Sequence, residues 1–233
     1  MLTRMHRSLV VGILSTALVL LVGVTAHADT ITVNDGGSIV SGGVYVGPYD
    51  FTTSGGQSLK LVCDTFENEV YPPETWTAAV TTVGSGSGLF GSTTSTQYQE
   101  SAWLVQKMFA NLGNTQTVAD IQWALWDIFD PGTCGTGVSN CDPYGTPSDQ
   151  AGIQIWLNDV QVDKDYVGGN YSNVLIYTPT SGWPSGDGMP QEYIGIVTAP
   201  EPGTLSLMLI GLGSLGLMMV MRKRISPRHS QSI

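Results

Sequence analysis

Histidine and arginine are missing from the middle of this 233-residue chain, and lysine is rare there. Between residues 29 and 201 the basic side chains are Lys60, Lys107 and Lys164, against all 19 acidic residues of the chain. A segment this acidic repels phosphate backbones, which argues against nucleic acid as a partner. Without histidine it also lacks the base of Ser-His-Asp and Cys-His nucleophile systems and a common zinc ligand. We therefore expect neither an enzyme nor a bound metal or cofactor.

The N-terminus has the three parts of a secretory signal peptide. Two arginines stand near the start, residues 9–24 are predominantly apolar, and Ala26-His27-Ala28 supplies small residues for a cleavage site. We expect cleavage before Asp29, which makes residues 1–28 the signal peptide. An uncleaved N-terminal anchor is the alternative.

A second apolar segment lies near the C-terminus. Residues 205–221 contain only apolar residues, Gly and Ser. At about 1.5 Å per residue, a helix of this length can cross the hydrocarbon core of a membrane. Arg222, Lys223 and Arg224 follow directly, and basic residues at one end of a span stay on the cytoplasmic side. The preceding domain is therefore expected to face outward.

Pro200, Glu201 and Pro202 stand immediately before this apolar segment. The order of triplet, Gly-rich apolar helix and basic cluster resembles the PEP-CTERM sorting signal, which would occupy residues 199–233. The resemblance implies recognition by an exosortase and transient anchoring in the inner membrane through the helix. It also implies a destination at the cell surface or in the extracellular matrix of a Gram-negative bacterium. An ordinary C-terminal anchor is the alternative.

The chain contains three cysteines. Cys134 and Cys141 lie in a stretch of turn-forming residues, and in an oxidising compartment we expect them to form a disulfide that closes this loop. Cys63 is left without a partner. An odd cysteine in an exported protein requires another explanation.

Hydrophobic periodicity predicts an α+β domain over residues 29–198, a β-rich framework with an inserted helical segment. Helical spacing predicts three helices, and Gly, Ser and Thr predict a loop over residues 85–96. The predicted helices cover residues 98–112, 118–129 and 148–160. β-branched residues between turn formers predict strands over residues 31–33, 39–46, 58–63, 75–83, 171–177 and 193–197.

The second predicted helix contains the run Gln122-Trp-Ala-Leu-Trp126. A Gln followed by x-Ala-aliphatic-Trp resembles the signature of bacterial thioester domains, and the similarity extends over about residues 59–130. The resemblance implies that Gln122 is joined to a cysteine on an earlier strand. Cys63 has the right order and setting. Two neighbours differ from the signature, since Ile121 precedes the Gln and Asp64 follows the Cys.

In such a site the cysteine sulfur replaces ammonia on the glutamine side-chain carbon, and the thioester can then acylate an amine or a hydroxyl. The protein could thereby attach covalently to exopolysaccharide or surface amines, and the sulfur would be protected from disulfide exchange. Two alternatives remain open. Cys63 can be a buried free thiol while Gln122 hydrogen-bonds to the framework, in a purely structural matrix protein. The acidic residues can instead serve a carboxylate-dependent glycosidase.

Overall fold

The computed structural model describes residues 27–131, 147–185 and 188–197. Within those ranges the chain forms ten strands and three helices. The strands are β1 (His27–Asp35), β2 (Ile39–Ser41), β3 (Val44–Val46), β4 (Tyr49–Thr53), β5 (Ser58–Cys63), β6 (Glu74–Thr82), β7 (Ser87–Gly88), β8 (Gly91–Ser92), β9 (Val174–Ser181) and β10 (Tyr193–Ile196). The helices are α1 (Thr96–Ala110), α2 (Thr115–Phe129) and α3 (Pro147–Gln161).

Six of the strands close into an antiparallel barrel in the order β1-β4-β5-β10-β9-β6. Aromatic rings fill its interior. The ring of Phe51 on β4 lies 4.7 Å from that of Tyr193 on β10 and 5.8 Å from that of Trp76 on β6. These three strands are not neighbours in the barrel, so the rings meet across its interior. Edge-to-face packing of this kind stabilises a core beyond the area it buries.

The three helices follow the short β7–β8 hairpin and precede β9. Helix α2 is the central one, because it packs against α1, α3 and the β2–β3 hairpin, while α1 also contacts β10. All residues from Val118 to Phe129 are buried. Polar caps define where the helices begin, since Ser95 accepts a hydrogen bond from the backbone of α1 and Asn114 does the same for α2.

The predicted β-rich framework with an inserted helical segment is confirmed, although several boundaries differ. The predicted strand over residues 39–46 is two strands, because Gly42 and Gly43 both have positive φ angles and turn the chain back. Strand β4 was not predicted. Residues 85–96 include the β7–β8 hairpin, and β9 begins at Val174 rather than 171 because the preceding residues form a turn.

Several predicted features lie outside the described residues. They are the first 26 residues of the signal peptide, the Cys134–Cys141 disulfide, and the sorting tail with its apolar helix over residues 205–221. Within the described ranges, no helix combines the length and apolar character that crossing a membrane requires. Strand β1 begins at His27, upstream of the predicted cleavage position, which stays a prediction.

Candidate functional site

Cys63 and Gln122 come from different layers of the domain and meet in its core. Cys63 is the last residue of β5 and pairs with Tyr193 on β10. Gln122 lies in the middle of α2. Both residues are fully buried. A polar glutamine in such a place must find hydrogen-bond partners, because an unsatisfied buried amide costs free energy.

The Gln122 amide finds its partners in two backbone groups. Its Nε2 donates a hydrogen bond to the main-chain oxygen of Cys63 at 2.7 Å, and its Oε1 accepts one from the main-chain N–H of Gly47 at 3.2 Å. A donor at one end and an acceptor at the other determine which end of the amide is oxygen. The side-chain carbon of Gln122 is therefore held beside the residue that carries the thiol.

The Cys63 thiol is protonated and shielded in this structure. Its Sγ donates a hydrogen bond to the main-chain oxygen of Thr65 at 3.0 Å. Burial raises the pKa of the thiol well above its ordinary value, and the neighbouring Asp64 carboxyl raises it further. Contacts with the Trp126 indole and the Thr65 backbone oppose this rise but do not cancel it. When Cys63 is not part of a thioester, little of it is in the thiolate form that oxidants attack.

Three aromatic rings pack against one another beside the pair. Trp123 and Trp126 follow Gln122 on α2, and their rings lie 5.0 Å apart. Phe66, in the irregular segment after β5, lies 5.6 Å from the Trp123 ring and 5.1 Å from the Trp126 ring. Trp123 also donates its indole N–H to the hydroxyl of Ser41 at 3.1 Å, which links α2 to the β2–β3 hairpin. Trp126 also lies against the thiol of the fully buried Cys63.

A buried pair of carboxyl groups lies next to Cys63. Asp64 and Glu192 are both fully buried. Glu192 accepts hydrogen bonds from the Tyr98 hydroxyl, the Thr178 hydroxyl and, at 2.6 Å, the Leu89 main-chain N–H. Burial raises the pKa of Asp64 well above its ordinary value of 3.8, and the Glu192 carboxyl raises it further. Asp64 therefore favours its protonated form, while the Glu192 carboxyl group accepts three hydrogen bonds.

A cleft of about 1230 Å³ lies beside the Phe66 and Trp126 rings, which form part of its lining. Aromatic and acidic side chains make up much of its lining, together with backbone and side chains of the segment between β5 and β6. The aromatic members are Tyr45, Tyr49, Phe66, Tyr71 and Trp126, and the acidic members are Glu67, Glu69 and Asp130.

The cysteine and metal-site predictions have the following outcomes. Cys63 forms no disulfide and is a free thiol. The partners predicted for each other, Cys134 and Cys141, lie outside the described residues. Among residues 27–131, 147–185 and 188–197, no three acidic, cysteine or histidine side chains are grouped so that they could hold a metal ion.

Gly47 and Glu192 contribute to this site and were not expected from the sequence. Gly47 supplies a backbone donor, which every residue except proline has, so the sequence does not show that this particular N–H faces Gln122. Glu192 is one of many acidic residues in the sequence, and it lies more than 120 residues after Cys63 along the chain. The position of Asp64 beside Cys63 was visible, but its burial was not.

A family model of the PEP-CTERM protein-sorting motif matches residues 198–224. The matched residues include the whole set predicted from the sequence, namely Pro200, Glu201, Pro202, Arg222, Lys223 and Arg224. The sorting motif is thereby confirmed, and it implies export, membrane-anchored sorting and processing by an exosortase. No curated protein and no solved structure matches the chain, and no comparison supports the resemblance of residues 59–130 to thioester domains.

Proposed function

We propose that this exported, exosortase-sorted chain is a surface or matrix protein whose domain forms an internal thioester between Cys63 and Gln122. Through that bond it attaches covalently to a partner outside the cell. One observation carries the proposal: the Gln122 amide is held between Gly47 and the Cys63 backbone, in a fully buried site. The confirmed sorting motif supplies the extracellular setting.

Formation of the bond needs no other reactant. The Cys63 sulfur attacks the side-chain carbon of Gln122, and a C–S bond replaces the C–N bond. The nitrogen leaves with the electrons of the C–N bond and takes up the proton that the thiol releases, so that one molecule of ammonia is lost. The N–H of Gly47 points at the oxygen on which negative charge develops during the attack, which stabilises the tetrahedral intermediate.

In the attachment step the sulfur, which was the nucleophile, becomes the leaving group. An amine or hydroxyl of the partner attacks the Gln122 carbon, the C–S bond breaks, and the proton of the nucleophile passes to the sulfur. The products are an amide or ester at Gln122 and a free Cys63 thiol. Because Cys63 and Gln122 are fully buried, water reaches the thioester slowly and the bond survives until a partner arrives.

The mass of the purified mature chain tests the proposal. The wild type should be lighter than its sequence by one ammonia, and methylamine should add its own mass to Gln122. Cys63→Ala and Gln122→Ala should both abolish the ammonia loss and the methylamine addition. Gln57→Ala, which removes an exposed glutamine, is the matched control and should behave as wild type. A wild-type chain with the full mass of its sequence, unchanged by methylamine, would contradict the proposal.

A non-reactive matrix protein is the second candidate, and the hydrogen bonds of the pair favour it. The Cys63 thiol donates to Thr65, and both polar ends of Gln122 are satisfied, as in a glutamine that only supports the framework. In that case the chain keeps its full mass, while Gln122→Ala lowers the free energy of unfolding by about 1–3 kcal/mol because it strands two buried backbone groups.

A further inference from the structure

We infer that the cleft lined by Tyr45, Phe66, Glu67, Glu69 and Tyr71 binds a cationic glycan, a chain of sugars that carry free amino groups. The inference rests on the proposed function in one respect, since it names the acceptor that the thioester would acylate. The binding itself requires no covalent bond and can be measured separately.

The size of the cleft favours an extended ligand. Its volume of about 1230 Å³ exceeds the 300–1,000 Å³ typical of sites for small molecules. A single amine side chain would leave most of this space to water. A chain of several sugar rings would fill it.

The charge of the lining favours a cation. Glu67, Glu69 and Asp130 contribute carboxylates, and no Lys, Arg or His belongs to the lining among the described residues. Carboxylates attract ammonium groups and repel phosphate or uronic acid groups. An acidic polysaccharide is therefore a poor occupant, and one with free amino groups is a suitable one.

The aromatic side chains favour sugar rings as the carriers of those amino groups. Tyr45, Phe66 and Tyr71 are large apolar side chains that remain 48%, 38% and 60% exposed. Exposed aromatic groups collected in one cleft mark a binding surface. Their flat faces can cover the C–H faces of sugar rings, and they also attract ammonium groups through the ring quadrupole. A sugar with an amino group uses both properties.

The cleft adjoins the reactive pair through two of its lining residues. Trp126 lies against Cys63, close enough for its buried indole N–H to oppose the rise in the pKa of the thiol. Tyr49 also belongs to the cleft lining, and its ring lies 5.5 Å from that of Tyr193, the residue that pairs with Cys63. A glycan amine in the cleft therefore lies beside Trp126, which contacts both the cleft and Cys63.

Binding can be measured on the purified chain carrying Cys63→Ala, which cannot form a thioester. Titration calorimetry would compare a hexamer of glucosamine with a hexamer of N-acetylglucosamine and with a lysine hexapeptide. The glucosamine hexamer should bind at least about tenfold more tightly than either of the others. Glu67→Gln with Glu69→Gln, and separately Tyr45→Ala, should each weaken its binding by about tenfold. Asp163→Asn, an exposed acid outside the cleft, is the matched control and should leave binding unchanged.

Each other outcome overturns a defined part of the inference. Equal binding of the N-acetylated hexamer removes the role of the amino group, and equal binding of the lysine hexapeptide removes the role of the sugar ring. Loss of binding in the Asp163→Asn control shows that only net charge matters. Thermal unfolding of each variant verifies that it is folded. If the wild type loses no ammonia but the glucosamine hexamer binds, the proposed function fails and the glycan site stands. If the wild type loses ammonia but the hexamer does not bind, the proposed function stands and the glycan site fails.

Discussion

The main-chain N–H of Gly47 donates a hydrogen bond to the side-chain oxygen of Gln122, joining two residues that are 75 positions apart in the chain. Gly47 can do so because it has a φ angle of +88°, a conformation that other residues rarely adopt. A Cβ atom at this position would lie 2.7 Å from Cγ1 of Val118, on the same helix as Gln122. Glycine is thus required both for the turn and for the close approach of α2.

Substitution of this glycine should impair the reactive pair. We expect Gly47→Ala to displace α2, to weaken the Gln122 hydrogen bond and to reduce the fraction of chains that have lost ammonia. Backbone strain should lower the free energy of unfolding by about 1–3 kcal/mol. Gly56→Ala is the control, because Gly56 has a φ angle of +79° but no heavy atom within 4 Å of its added Cβ. Intact mass and denaturant titration measure both effects; a Gly47→Ala chain that loses ammonia as fully as the control would refute the prediction.

Asp64 should make stability depend on pH in a defined direction. Its pKa is raised in the folded state, so the folded chain binds this proton more tightly than the unfolded chain does. The stabilisation is complete below the ordinary value of 3.8 and is lost as the pH rises towards the folded pKa. The Asp64→Asn chain lacks this titrating carboxyl. As the pH rises from 3.8 towards the folded pKa, its free energy of unfolding should therefore decrease less than that of the wild type. Denaturant titration at a series of pH values measures the difference.

Glu100 provides the comparison for Asp64. Burial alone raises the pKa of Glu100, whereas a second carboxyl also acts on Asp64. Glu100→Gln should therefore change the pH dependence in the same direction but by less. The explanation fails if the Asp64→Asn chain keeps the full wild-type pH dependence.

Cys134 and Cys141 should be joined in the exported chain, with Cys63 outside the disulfide. Such a short loop restricts the unfolded chain, and replacing both cysteines by serine should lower the free energy of unfolding by about 2–3 kcal/mol. Ser139→Ala, within the same loop, is the control and should have little effect. Peptide mapping without reduction identifies the pairing, and a peptide that links Cys63 to either of the other two would disprove it.

The sorting motif should be required for processing. We expect Glu201→Ala, or deletion of residues 222–224, to leave unprocessed precursor in the inner membrane, because each removes one element of the matched motif. Deletion of residues 231–233 lies beyond the match and serves as the control. Fractionation followed by immunoblotting measures the precursor. Normal processing of both altered chains would count decisively against this role.

Local patterns predicted the elements of this fold better than their arrangement. Strand β5 was predicted with its observed bounds, because apolar residues there stand between clear turn formers. Strand β4 was missed, because only Tyr49 and Phe51 face inward and Gly47-Pro48 and Ser54-Gly55 made the segment look like a turn. Closure of the barrel joins β5 to β10, which is distant in sequence, and no local pattern records such a pairing.

The same distinction applies to the site. Cys63 and Gln122 were singled out from the sequence, and in the structure the Gln122 amide reaches the Cys63 backbone. The thioester between them stays a prediction. Gly47, Asp64 and Glu192 act through burial and through contacts between segments that are remote in the chain, which appear only in the folded domain. The cleft was equally hidden, since Tyr45 and Tyr71 belong to different segments and lie together only in the folded chain.

Strand β10 has a consequence for the order of events during biogenesis. It is the last barrel strand to be synthesised, and the sorting motif begins directly after it, at residue 198. Until β10 arrives, β5 and β9 present bare edges that invite aggregation, and Cys63 lacks its neighbour Tyr193. A nascent chain that stops before residue 193 therefore lacks the closing strand, the complete surroundings of its thiol and the sorting address together.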